Sequence, residues 1–290
     1  MKKCVIAAYR CRVYLLFGAF AVLILVAATR GYLPAVERIA PAFSLAVLAV
    51  VGGCLLLTVV GPRLLDPLAS RVVAPPVSGE WSAVNSPASK VPSHGTRFYG
   101  QAYAIDLVAE GPGDRPTFGS GPAMRRPEDY PAFGAPVYSM VSGTAVAVVD
   151  RRRDHRARSN WLSVLYMLLE GMVREVAGMS FLLGNHVTID HGDGTFGLLA
   201  HLKRGSVKVK VGSEVKAGDL IAECGNSGNS SEPHVHAQLM DRASPRTAQG
   251  VPMSFTGILD AAGSPIELPT NGQTMISVSA EQGSREGRGS

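Results

Sequence analysis

Cysteine is scarce in this 290-residue chain, and the four present never fall into a Cys-x-x-Cys pair. Cys4, Cys11 and Cys54 lie in or beside apolar segments, and Cys224 ends the expected strand Leu220-Ile221-Ala222-Glu223. That distribution excludes a zinc ribbon and reads as small buried hydrophobes, not as a disulfide framework. Also missing is a basic stripe interleaved with aromatics. The net charge of +5 comes from scattered lysines and arginines, so nucleic-acid binding is not expected. Charge is absent altogether from two segments, residues 13–29 and 40–60. The second is long enough to cross ~30 Å of hydrocarbon at ~1.5 Å per residue, and the first just reaches.

Residues 1–61 therefore predict a membrane anchor of two transmembrane helices, about 13–29 and 40–60. A short polar link with Gly31, Pro34, Glu37 and Arg38 joins them. A cleaved signal is the alternative for the first run, because Val26, Ala27 and Ala28 place small residues near its end. Lys2, Lys3, Arg10 and Arg12 precede that run, whereas the link holds two arginines. By the positive-inside rule the amino terminus is cytoplasmic, and a helical hairpin returns the chain to the same side.

Residues 62–92 read as a linker broken by Pro75, Pro76, Pro87 and Pro92. Residues 93–268 are ample for one core. Short β-branched runs at 137–141, 144–149, 187–190 and 196–200 alternate with glycine-rich turns. They predict an all-β domain, an antiparallel β-sandwich or half-barrel. Residues 207–211 alternate valine and lysine and predict a strand with one wet face. A helical insertion, 151–183, opens with an arginine run. It continues with Trp161, Leu165, Leu168, Met172, Val176 and Met179 at helical spacing, with Ser159 or Asn160 as cap. Its stripe packs on the sandwich, or lies in a bilayer surface with the arginines at the headgroups, or covers a cleft. Residues 269–290, rich in Gly, Ser, Glu and Gln, predict a disordered tail.

The chemistry concentrates near His234-Val235-His236. Histidines at i and i+2 of a strand share a face, so one can ligate a metal while the other stands beside the bound water. Upstream lie His94 and Asp106, the latter in a partly apolar run where an unpaired carboxylate is costly without a cation opposite. Two imidazoles, one carboxylate and an open position make the ligand set of a catalytic zinc, not a structural one. His201, in Ala200-His201-Leu202, is a further candidate. His155, His186 and His191 read as ordinary surface or core residues.

The ordered set of motifs carries a resemblance. It comprises Ser93-His94-Gly95 with Ala104-Ile105-Asp106, then residues 134–139, 143–146, 184–194, 200–202 and 211–219, and finally the His-x-His. Across about 80–265 it resembles the lysostaphin/LytM-type zinc metalloendopeptidases, which cut peptide bonds in bacterial cell-wall peptidoglycan. The resemblance implies that His94, Asp106 and His236 hold one zinc ion and that His201 and His234 flank the reacting centre. It also implies peptidoglycan peptides as substrate and an extracytoplasmic domain, in conflict with the charge bias. Zinc there would lower the pKa of a water toward ~7 and polarise the scissile carbonyl. His234 would orient or deprotonate the water, and His201 would donate to the oxyanion or exchange protons with His234.

One departure stands out. Eleven residues separate His94 from Asp106, where the family has three, so a loop through Gly95, Thr96 and Gly100 must carry His94 back. Two rival functions follow. One is a non-catalytic binding or activator module at the membrane. The other is a biotinyl or lipoyl carrier, which 211–221 resembles. Lys203, Lys208, Lys210 and Lys216 lack the tight-hairpin setting a modifiable lysine needs.

Overall fold

The computed structural model describes residues 2–110 and 115–277. The chain divides into two compact units between Leu68 and Ala69. The first consists of α1 (Lys2–Thr29) and α2 (Pro34–Leu64), each long and apolar enough to cross a membrane. α2 begins at Pro34, earlier than expected, and so shortens the link. Proline is pre-organised for a helix's first turn, where its missing N–H is no loss. The helices pack as a hairpin in which the Tyr9 ring fills the space beside Gly61. A Cβ at position 61 would lie 2.1 Å from that ring.

The second unit is built on one open antiparallel sheet. Its main strands are β1 (Gly79–Asn85), β2 (Ile105–Ala109), β3 (Gly143–Val149), β4 (Asn185–Asp190), β5 (Phe196–Leu202), β6 (Val235–Met240) and β7 (Thr274–Ser277). They lie side by side in the order β3-β4-β5-β6-β2-β1-β7. Glu214–Val215 extends one edge, and Ile258–Asp260 with Pro265–Ile266 extends the other, so the sheet does not close. The all-β half-barrel or sandwich expectation agrees with this architecture, as does a helical insertion, α3 (Trp161–Ala177) followed by α4 (Met179–Leu182). Period-two alternation along β6 sends Val235, Ala237 and Leu239 into a dry core with Leu199 and Ile189. It leaves His236 and Gln238 on the opposite face.

Four expectations need correction. Residues 62–92 are not a linker throughout, because β1 lies within them and pairs with both β2 and β7. The prolines flank that strand and do not interrupt it, and Trp81 and Ala83 are buried in it. Residues 269–277 are not part of a disordered tail, because Met275 of β7 is fully buried, while 278–290 lie outside the described residues. Residues 207–211 form no ladder. Lys208 N donates to Ile221 O at 2.8 Å, but Lys210 N goes to the Ser213 hydroxyl.

The fourth correction concerns α3. Asn160 caps it, its Oδ1 accepting from Ser163 N at 2.9 Å, but its apolar stripe does not pack on the sheet. Ser163, Glu170, Gly171 and Arg174 face the domain instead, and Trp161, Leu165, Leu168, Met172 and Val176 are exposed. The wall beneath is polar: Arg158 Nη2 donates to Glu170 Oε2 at 2.6 Å, and Gly171 abuts the Asn229 side chain.

His186, on β4, is buried and donates from Nδ1 to Gly184 O at 2.9 Å. Burial holds it below the usual histidine range, with the Gly184 bond opposing and Arg152 reinforcing. Below pH ~6.5 the unfolded chain therefore takes up a proton that the folded chain refuses, so acid weakens the fold by up to ~1.4 kcal/mol per pH unit. Urea midpoints of the chain and of His186→Gln at pH 5 and pH 7 check this. The variant should show the shallower acid loss, and equal losses would exclude the assignment.

Candidate metal centre

β6 is the axis of the site. Its register places His236 opposite Asp106 of β2 on one side and opposite Ala200 of β5 on the other. His236 Nδ1 lies 2.8 Å from Asp106 Oδ1, and His94 Nε2 lies 2.9 Å from Asp106 Oδ2. Ligand atoms of all three residues fall within 4.8 Å of one another. The long excursion between His94 and Asp106 closes through a turn and the 3-10 segment Phe98–Tyr103, where Tyr99 and Gly100 adopt positive φ.

His201 reaches the same face by a backbone irregularity. Regular alternation on β5 would turn position 201 away from the face that Ala200 shares with His236. A left-handed φ of 61° brings the ring round, a conformation that costs a non-glycine residue about 1–3 kcal/mol. The His201 ring then stands 4.8 Å from that of His234 and 5.8 Å from that of His236, centroid to centroid. Its backbone N–H leaves the ladder for Leu183 O at 3.0 Å. The 225–231 turn closes in behind: Gly184, at φ 67°, lets the Ser227 carbonyl approach to 2.5 Å of where a Cβ would be.

The neighbours decide the protonation of each ring. Gln238 Nε2 donates to Tyr99 O at 2.9 Å, so its Oε1 faces His236 Nε2, 2.8 Å away, and accepts a proton there. Ser93 Oγ donates its single proton to Ala104 O at 2.6 Å, so it accepts from His94 Nδ1 at 3.0 Å. When both rings are neutral, the remaining nitrogen, the one facing Asp106, is a bare lone pair. Two lone pairs directed at a carboxylate are mutually repulsive unless a cation lies among them. The donor set therefore fits a divalent metal, and the outer partners are those that orient ligating histidines. Asn85 Nδ2 supplies a further hydrogen bond to Asp106 Oδ2 at 2.9 Å.

Asp106 is buried, and burial opposes its charge. The surrounding His234, His94 and His236 imidazoles, whenever they are protonated, outweigh that and hold its carboxyl well below the usual range. Burial holds His201 well below the ordinary histidine range, helped by the adjacent His234 and His236. Its Nδ1 donates to Ser227 O at 2.8 Å, leaving the Nε2 lone pair for the cleft. His234 is arranged alike, with Nδ1 donating to Glu232 O at 2.7 Å and Nε2 lying 3.6 Å from Asp106 Oδ1. Arg115 clamps the Glu232 carboxylate in bidentate fashion, at 2.9 and 2.5 Å, and so steadies the loop ahead of His234.

The five residues named from the sequence thus share one cleft of about 470 Å³, walled on one side by Met167, Leu168, Gly171 and Met172 of α3. His191 lies elsewhere, donating to Ser142 O at 2.6 Å, and His155 braces the 225–231 turn through Gly228 O at 2.8 Å. Sequence reasoning missed Gln238, Ser93, Asn85 and Arg115. Gln238 was within reach, two residues beyond His236 and so on its face. Nothing local marks the other three.

A buried two-histidine, one-carboxylate cluster flanked by two more imidazoles is the kind of centre that metal-dependent hydrolases use. Residues 128–248 match the family described as Peptidase family M23. The match contains His201, His234 and His236, whereas His94 and Asp106 precede it. An uncharacterized metalloprotease of Buchnera aphidicola subsp. Baizongia pistaciae is 38% identical over 63 residues, 22% of this chain and 16% of that protein. The catalytic domain of lysostaphin from Staphylococcus simulans aligns with 22% identity and a TM-score of 0.32, covering 58% of this chain and 84% of that one. A zinc-containing peptidase from Vibrio cholerae aligns with 21% identity and a TM-score of 0.28, covering 64% and 40%.

Proposed function

We propose that the protein is a membrane-anchored zinc metalloendopeptidase that hydrolyses peptide bonds, with peptidoglycan peptides as its substrate. The observation that carries this is the pair of imidazole lone pairs, fixed by Gln238 and Ser93, that converge on Asp106. His94, Asp106 and His236 would hold the ion, which supplies Lewis acidity for the scissile carbonyl and for water. His201, neutral and offering Nε2, accepts the proton of the attacking water. His234, with its Nε2 facing the same point, exchanges that proton and delivers it to the departing amine as the C–N bond breaks. Asn229 Oδ1, buried on the cleft wall without a partner among the described residues, is placed to accept a substrate backbone N–H. The complete donor set speaks for an enzyme over a non-catalytic module.

The test is release of new amino groups from purified peptidoglycan by the full chain in detergent, abolished by a chelator and restored by zinc. Zinc-loaded, folded protein that releases none would overturn the proposal. The substrate also requires a particular side of the membrane. A carboxyl-terminal alkaline phosphatase fusion should be active, placing both termini outside despite Lys2, Lys3, Arg10 and Arg12. An inactive fusion would remove peptidoglycan as the substrate.

Gln238 is a positioning residue in this scheme. Gln238→Leu leaves His236 Nε2 without its acceptor and should weaken zinc binding by about 10–100-fold, read by competition with a chromophoric chelator. Unchanged affinity would show that the amide does not set the tautomer.

A further inference from the structure

α3 is amphipathic in the wrong sense for a helix whose outer face meets water. Every one of its exposed positions carries an apolar or aromatic side chain, among them Leu162, Leu165, Leu169, Val173 and Val176, and Trp161 is 78% exposed. Its charged residues all face the domain: Glu170 is held by Arg158 and, at 3.5 Å, by Arg174, and Glu175 binds the Tyr99 hydroxyl. The helix is thus attached through its polar side.

We propose that this face is a lipid-docking surface, with α3 lying in the plane of a bilayer and its apolar side among the acyl chains. The inference rests in part on the membrane anchoring proposed above. Between α2 and the strand at Arg71–Val73 lie only residues 65–70, a tether of ~20 Å at most. A domain so tethered cannot leave the membrane surface. The exposed face carries no charge, whereas protein interfaces are rimmed by polar residues. Trp161, edge-on to Phe118 with ring centroids 5.2 Å apart, and Tyr166 supply the amphipathic rings favoured at headgroup depth. Leu168 and Met172 belong both to this face and to the cleft wall. Docking would therefore set the mouth of the cleft at the lipid surface.

The chain has two tryptophans, Trp81 in the core at 3% exposure and Trp161, so Trp161 is its own reporter. The full chain is reconstituted in phosphatidylethanolamine–phosphatidylglycerol vesicles with brominated acyl chains, beside Trp161→Phe. The emission that Trp161→Phe removes should be largely quenched by the brominated lipid and protected from aqueous iodide, while Trp81 responds to neither. Quenching by iodide alone, on chains that still float with the vesicles, overturns the docking and leaves the anchor intact. Shielding from both quenchers also overturns it, in favour of a protein contact such as a second copy. Chains stripped by alkaline carbonate but quenched by brominated lipid at neutral pH would refute the spanning helices and keep the docking.

Discussion

The His236→Ala variant is expected to lose bound zinc and peptide hydrolysis together while keeping its fold. Removing one of three donors leaves a carboxylate and a single imidazole, too few to hold zinc against water. The fold should survive because the loss is local. Gln238 Oε1 forfeits its hydrogen-bond partner, at a cost of about 1–3 kcal/mol, and Asp106 keeps the bond from Asn85. Metal content after dialysis, activity and circular dichroism on the same sample decide it. A second readout comes from linkage: zinc in thousandfold excess over its Kd stabilises the folded chain by about 4 kcal/mol. That gain should vanish in the variant. A folded variant that keeps stoichiometric zinc would place the metal elsewhere.

The His201→Ala variant should behave in the opposite way toward the metal, retaining zinc but losing hydrolysis by about 10²–10⁴-fold, the range for a general base. Position 201 also separates chemistry from stability. Its left-handed backbone suits glycine and strains alanine. His201→Gly should therefore be as inactive as His201→Ala yet more stable by about 0.5–1 kcal/mol, measured by urea midpoint. An active glycine variant would remove His201 from the reaction. Equal stabilities would mean that the backbone relaxes once the imidazole is gone.

Much of this was legible before any coordinates. Val235, Ala237 and Leu239 alternate with His234, His236 and Gln238, and alternation alone tells which side of a strand is dry and which carries the polar row. The glycine-rich turns and β-branched runs announced β3, β4 and β5 because those signals are local. Other features were not local. β1 hid among prolines because its partners, β2 and β7, are distant in sequence. Burial of Met275 depends on that pairing, and composition made the same stretch look like a tail.

The site divides in the same manner. Residue types and short spacings determined which histidines and which aspartate to consider, since metal ligation depends on donor chemistry that a side chain carries with it. Only the tertiary structure decided that the eleven-residue excursion after His94 closes on Asp106, because loop closure depends on backbone torsions such as those of Tyr99 and Gly100. It also decided the direction of each ring, because tautomers are set by contacts such as Ser227 O on His201 and Ala104 O on Ser93, which lie far apart in sequence. The orientation of α3 belongs here too. Periodicity shows that a helix has two faces, but which one turns inward depends on what the domain presents, and here that is Arg158, Asn229 and Tyr99.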